Sequence, residues 1–419
     1  MLNQKIASTI LLAVLIVSSF ALVGVASAST SDDWSMFRGN LNHTGASATE
    51  PATTNNLLWK LDAGIPMGSS AALVDGRVYI GTNDGSVYCV DAADGSQIWK
   101  VSLSQGYSAA ISSSIAVEDG KLYFGCYNGA VFCLEASTGA QVWYFATENS
   151  IQSSPAVADG HVYIGSWDGN LYCIDAATGS KVWAYKTGAL VDSSPAVVDG
   201  KVYFGSADKS VYCLNAASGE KLWSYATGGV IQSSPAVVDG YIYIGSQDHN
   251  VYCLNANSGE KVWSYQEQNI VDSSPAVVNG YVYIGSGVLD STVDKNVYCL
   301  NAATGEKVWS YQTGDGVYSS PAVVGDYLYV GGWDGNLYCI DAQDGSSIWT
   351  YTTQHSISAS PAVSGGVVYI TSWDNNLYAL GSQVANSSAE TPVWLIGAVV
   401  VVVVAVVAVA VFVVIRRKK

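Results

Sequence analysis

Apolar and polar positions alternate along most of this chain in short runs. Each run is closed by glycine or a small polar pair, and the pattern predicts strands joined by tight turns. The cleanest stretch is residues 193–225, SSPAVVDG-KVYFGSADKS-VYCLNAASGE-KLWSY. Ser193–Val198 reads as one strand, Asp199-Gly200 as a hairpin turn and Lys201–Ser206 as a second strand. Ala207–Ser210 turns into a third, Val211–Ala216, and Ala217-Ser218-Gly219 into a fourth, Lys221–Tyr225. The run VYCL is nearly all apolar, as expected of a strand covered on both faces.

The phrase recurs eight times with a period of about 40 residues, which points to a propeller or solenoid. Four antiparallel strands per unit make a propeller blade. The expected fold is therefore all-β, an eight-bladed β-propeller of four-stranded antiparallel blades. A serine pair opens the copies at Ser69, Ser113, Ser153, Ser193, Ser233, Ser273 and Ser319, and the eighth opens Ala359-Ser360. A tryptophan near the end of each copy stands at Trp99, Trp143, Trp183, Trp223, Trp263, Trp309 and Trp349. The eighth copy stops at Tyr378-Ala379-Leu380 without one, whereas Trp59, in Leu57–Leu61, has no copy of its own. The N-terminal strand is thus expected to complete the last blade, removing a free edge. Two copies are longer, one before Ser113 and one around Gly287–Lys295, and such loops are where binding specificity tends to reside.

The ends differ from the repeats. Residues 1–28 read as a secretory signal: Lys5, an apolar run, then Ala26-Ser27-Ala28 for cleavage. Residues 29–56 form a polar extension with one aromatic stretch, Trp34-Ser35-Met36-Phe37-Arg38, expected to pack on the propeller, residues 57–381. A linker, 382–392, leads to the apolar segment 393–415, about 34 Å long as a helix and enough to span a bilayer. Arg416-Arg417-Lys418-Lys419 then reads as a cytoplasmic, positive-inside tail. The expected location is the cell membrane, single-pass, with the propeller outside. Asn42 and Asn386 begin glycosylation sequons.

Charge narrows the partners. The terminal segments hold five of the 18 bases and none of the 34 acids, so the remaining body has 13 bases and a net charge of −21. That argues against nucleic acid as a partner. Seven of the eight cysteines share one repeat position, from Cys89 to Cys339, and the eighth repeat puts Ala379 there. The position asks for a small apolar side chain, and free thiols are expected. Four histidines at unrelated positions and the absence of a CxxC pair leave no metal motif, so no metal or catalytic residue is assigned.

The stretch CLNAATGEKVW, Cys299–Trp309, with its counterparts at Cys173–Trp183, Cys213–Trp223 and Cys253–Trp263, resembles the quinoprotein-type propeller repeat, A-x-D/N-x-x-T/S-G-x-x-x-W. The resemblance covers about Trp34–Gly381. It implies that Trp59, Trp99, Trp143, Trp183, Trp223, Trp263, Trp309 and Trp349 dock between blades. That family includes PQQ-dependent alcohol dehydrogenases, outer-membrane-assembly propeller lipoproteins and surface proteins, and fold does not choose among them. The enzymes, by resemblance, hold PQQ over Ca²⁺ near the axis with a vicinal disulfide and a basic residue. This chain has no adjacent cysteines, and its only propeller arginine is Arg77, beside a hairpin turn. No cofactor is therefore expected, with PQQ and calcium kept as the alternative.

Two constellations remain. The residues preceding the serine pairs include Gln152, Asp192, Gln232, Asp272 and Tyr318, candidates for a channel rim where Asp192 and Asp272 would hold a cation; a solvated rim is the plainer reading. Trp167, Trp333 and Trp373 stand where they would form a platform for sugars or a partner, or pack against a neighbouring blade. The functional expectation is a membrane-anchored, monomeric, non-enzymatic scaffold that binds a protein or cell-envelope polymer through its loops. The alternatives are a PQQ-dependent dehydrogenase and a structural envelope component.

Overall fold

The computed structural model describes residues 33–103, 110–287 and 294–382. The signal segment, the apolar segment 393–415, Asn386 and the extra residues of the two longer loops lie outside the described residues. Eight antiparallel sheets follow one another, each with four strands from one repeat except the last. In the fourth blade the strands are Ala196–Val198, Lys201–Gly205, Ser210–Asn215 and Lys221–Ala226. The first two are joined through Asp199 (φ +50°) and Gly200 (φ +70°), a turn whose twist matches the strands it connects. No helix occurs among the described residues, so none there is long and apolar enough to cross a membrane.

The eighth blade contains Ala362–Ser364, Val367–Thr371 and Asn376–Gly381, and Leu57–Asp62 adds its outer strand. Leu57 pairs with Leu380 and Asp62 with Asn376, so a strand ahead of the first repeat closes the ring on the last one. Ala46–Ser47 adds a short parallel pairing to the inner strand of the seventh blade, Ala322–Val324.

Every outer strand carries the same irregularity. Cys213 faces Trp223 and Leu214 faces Lys221, which leaves Leu222 as the extra residue of a bulge. Leu222 turns outward, 47% exposed, and the bulge aims Trp223 at the fifth blade. There its Nε1–H donates to Ala256 O at 3.1 Å. The same bond runs around the ring, from Trp183 to Ala216 O at 3.0 Å through to Trp59 and Ala92 O at 2.9 Å. Trp349 closes it on Ala52 O at 3.2 Å, an alanine of the N-terminal extension. Each carbonyl also receives a tyrosine hydroxyl from the preceding blade, as Tyr203 does for Ala256 at 3.2 Å. The indole lies flat on the next blade's turn: a Cβ at Gly219 (φ +71°) would sit 2.7 Å from Trp183 Cδ2.

The cysteines are all free and buried, and each buried thiol is pushed up in pKa, Cys213 to about 11 chiefly by burial. They fill the space between blades as small apolar groups.

Candidate functional site: the axial funnel

The eight inner strands ring the axis, and their serine pairs tie them together. The second serine of one blade donates its N–H to the second serine hydroxyl of the next: Ser114 to Ser154 at 2.9 Å, Ser154 to Ser194 at 2.9 Å, and onward to Ser360 with Ser70 at 2.9 Å. The first serine braces its own blade and the following one. Ser153 Oγ accepts Gly165 N–H at 3.0 Å and donates to Ser193 O at 3.2 Å. The eighth blade has Ala359 in that place and Thr371 where the others have glycine, and Thr371 Oγ1 donates to Ser69 O at 2.7 Å. The hydroxyl has moved from one strand to its neighbour and still reaches the same carbonyl.

The aromatic stretch 34–38 does more than lean on the propeller. Its chain runs inside the channel, and the middle residue of successive inner strands donates to it. Val117 N–H bonds Ser35 O at 2.7 Å, Val197 bonds Leu41 O at 3.0 Å, Val237 bonds Asn42 O at 2.9 Å, and Val277 bonds Thr44 O at 2.8 Å. Edge groups that would otherwise face an open channel are covered. Trp34, Met36, Arg38 and His43 are buried. Arg38 donates to Pro321 O, and its pKa is lowered by burial to about 9. Burial, with Arg38's charge, lowers His43 to about 3. Phe37, stacked edge-on against His43, forms the floor of what remains open.

That remainder is a funnel of about 170 Å³, lined by the serine ring and by the residues preceding it. Gln152, Asp192, Gln232, Asp272 and Tyr318 all line it. Asp192 and Asp272 come together through amides: Gln232 Nε2 donates to Asp192 Oδ2 at 3.3 Å, and Gln247 Nε2 to Asp272 Oδ1 at 3.1 Å and to Gln232 Oε1 at 3.2 Å. Trp167 Nε1–H also donates to Asp192. Burial raises the pKa of both carboxyls. The bonds from Trp167 and Gln232 oppose it at Asp192; at Asp272, Gln247 opposes while Asp192's charge adds, and the result is about 6. A second ring of residues, from the turn after each second strand, surrounds the funnel. Trp333 and Trp373 there are 45% and 43% exposed; Trp333 packs tilted against Tyr318, ring centroids 5.2 Å apart, and Trp373 donates to Ser358 Oγ at 2.8 Å. Trp167 instead packs edge-on against Tyr127 of the preceding blade. Gln247 and Tyr127 escaped the sequence reading because their repeat position holds unrelated residues in different copies.

The turn aspartates have a structural duty. Asp168 accepts Tyr172 Oη at 2.7 Å and, from the preceding blade, Glu148 N–H at 3.1 Å. Burial opposes its ionisation, yet these bonds and those from Asn170 hold its pKa below the ordinary value. Among the described residues, no group of three or more His, Cys, Asp or Glu side chains is arranged to hold a metal.

Comparison with known proteins agrees with this architecture. A family model described as outer membrane protein assembly factor BamB matches residues 45–111, 83–311 and 293–388. No curated protein matches the chain. Among solved structures, BamB from Moraxella catarrhalis is 20% identical and superposes with a TM-score of 0.67, over 78% of this chain and all of that one. A europium-containing methanol dehydrogenase is 14% identical, with a TM-score of 0.73 over 84% of this chain and 98% of its own. The computationally designed Ika8 protein is 17% identical, with a TM-score of 0.69 over 78% and 99%. At such identities the structures establish the fold alone. With the family model spanning the repeats, the chain belongs to the quinoprotein-type, PQQ-like repeat propellers, in the family described as outer membrane protein assembly factor BamB.

Proposed function

We propose that the chain is a non-enzymatic scaffold that takes a protein or cell-envelope polymer on the face where the funnel opens, held at a membrane by segment 393–415. The observation that carries this reading is the funnel's lining. Two carboxylates tethered by glutamines line it, exposed Trp333 and Trp373 sit on its rim residues Tyr318 and Ser358, and no lysine or arginine is among the lining residues. Aromatic side chains beside fixed hydrogen-bonding groups suit recognition of a peptide or sugar chain. The match to the BamB family favours a protein partner.

The same lining does not fit PQQ. A tricarboxylate needs cationic or N–H-rich compensation, and here it would meet Asp192 and Asp272. Arg77 begins the second strand of the first blade, at the hairpin end, and all eight cysteines are buried and unpaired.

A photo-crosslinking side chain at Trp373, in the full chain on intact cells, tests the proposal. The expected result is a reproducible partner whose capture falls at least tenfold in the Asp192→Asn/Asp272→Asn variant and is absent when the crosslinker stands at Asp199. Equal capture from both faces, or PQQ-dependent dye-linked alcohol oxidation by the purified chain, would overturn it.

A further inference from the structure

The interface between the fifth and sixth blades departs from the repeat. Five outer strands are followed directly by a threonine, Thr147, Thr187, Thr227, Thr313 or Thr353, that seals the junction with the next blade. Thr187 shows the pattern: its hydroxyl donates to Gly169 O at 2.9 Å and Ala189 O at 2.6 Å and accepts from Ser206 Oγ at 3.3 Å. The fifth blade has Glu267 there. It is 4% exposed, and neither carboxylate oxygen has a hydrogen-bond partner. Ser286, the counterpart of Ser206, has an equally unpartnered hydroxyl.

A second buried carboxylate stands beside Glu267. Asp294, 2% exposed, is fixed by Asn296 N–H at 3.2 Å, Asn296 Nδ2 at 2.6 Å, Tyr298 Oη at 2.9 Å and Gln268 N–H at 3.3 Å. Burial, then Asp294's charge, raises the Glu267 pKa well above its ordinary value; the Ser286 hydroxyl, close by but outside hydrogen-bond geometry, opposes this more weakly. Lys295 does not neutralise the pair, for its ammonium donates to Gly314 O at 2.8 Å. A buried carboxylate without donors, next to another, is among the costlier arrangements in a protein interior unless it takes up a proton or a cation joins it. The departure falls where the blade is also longer: Ser286 to Asn296 spans ten residues, against four for Ser206 to Ser210.

We infer that Glu267, Asp294 and Ser286 form a binding site for a hard divalent cation, calcium by preference, between the fifth and sixth blades. Glu267 supplies two oxygens, and Asp294, whose four acceptor positions go to Asn296 N–H, Asn296 Nδ2, Tyr298 Oη and Gln268 N–H, joins by giving up the longest of these bonds, the one from Gln268. Ser286 Oγ adds a neutral ligand and water completes the shell, as calcium's six to eight oxygens allow. An all-oxygen set disfavours zinc and copper. The glutamate that breaks the repeat is thereby explained: a cation replaces the hydroxyl seal used elsewhere.

Terbium titration of the purified full chain tests this, because Tyr298 and Tyr265 lie beside the site to sensitise its luminescence. The expected result is a saturable signal displaced by calcium, retained in Asp272→Asn and weakened by roughly 100-fold in Glu267→Thr. Glu267→Thr restores the residue of five other blades and is expected to fold. Calcium should raise the Tm of the wild type over EDTA by several degrees and leave Glu267→Thr unmoved. Should Glu267→Thr not fold, Ser286→Ala takes its place, with an expected tenfold loss of affinity. A signal that is absent, that survives Glu267→Thr or is unchanged in Ser286→Ala, or that vanishes in Asp272→Asn overturns the inference.

Discussion

Replacing Asp272 by Asn at the funnel should stabilise the protein above neutral pH and do nothing in acid. Burial holds this carboxyl at about 6 in the folded chain, against about 3.9 when unfolded. Because the folded value is the higher one, the folded state keeps a proton that the unfolded state has lost between about pH 4 and 6. Stability therefore falls as pH rises through that window and stays lower above it. The full difference corresponds to about 3 kcal/mol; Asp272 keeps part of its surface in the funnel, so we expect about 1–2 kcal/mol after screening. Asn keeps an acceptor for Gln247 and removes the charge opposite Asp192. Urea unfolding of wild type and Asp272→Asn at pH 3.5, 5 and 7.5 measures the difference, and other carboxylates cancel in the comparison. A variant less stable than wild type by 1 kcal/mol or more at pH 7.5 would refute the reasoning. It would mean that the charge is needed, as it would be if a cation sat between the carboxylates.

Two further predictions concern the ring. Thr371→Gly should cost about 1–3 kcal/mol by leaving Ser69 O without its donor, and Ala359→Ser about 1–3 kcal/mol by crowding Thr371. The double variant, which recreates the other seven blades, should lie within about 1 kcal/mol of wild type in a double-mutant cycle; additive losses would contradict the hydroxyl exchange. Gly219→Ala and Gly200→Ala have the same positive φ, but only the first would press on Trp183. Gly200→Ala should cost about 1–2 kcal/mol and Gly219→Ala clearly more, about 2–4 kcal/mol, so equal losses in urea unfolding would argue against the docked indole.

How much of this was legible depends on whether a residue repeats its neighbours' chemistry. The strands follow from features copied seven or eight times and the Asp199-Gly200 turn from a pair that stands in five copies, whereas the interblade placement of the tryptophans is what the family resemblance implies. Ala52 was legible too, in retrospect: it precedes Trp59 by seven residues, the spacing of Ala92 to Trp99, but the motif between is otherwise erased. Ala359 and Thr371 each look like a lapse until the structure puts them on adjacent strands. The channel segment carries no alternation, because it offers carbonyls to six inner strands in turn rather than pairing along one. The funnel's Asp192 and Asp272 could be named from the copies, yet their linkage through Gln247 depends on a turn from another strand.

The closure also sets an order of events. Trp59 docks on Ala92, made soon after it, but its strand pairs with Ala379, made some 320 residues later. The segment 34–47 needs inner strands from nearly the whole ring before its carbonyls are used. The segment that precedes the repeats, synthesised before them, is therefore among the last to find its place. Until then an incomplete ring presents unpaired edges at both its first and last blades, and contacts of such separation form slowly. For a chain delivered from its N-terminus, the vulnerable interval lasts until the eighth blade emerges, and any factor that guards the nascent propeller has to act over that whole interval.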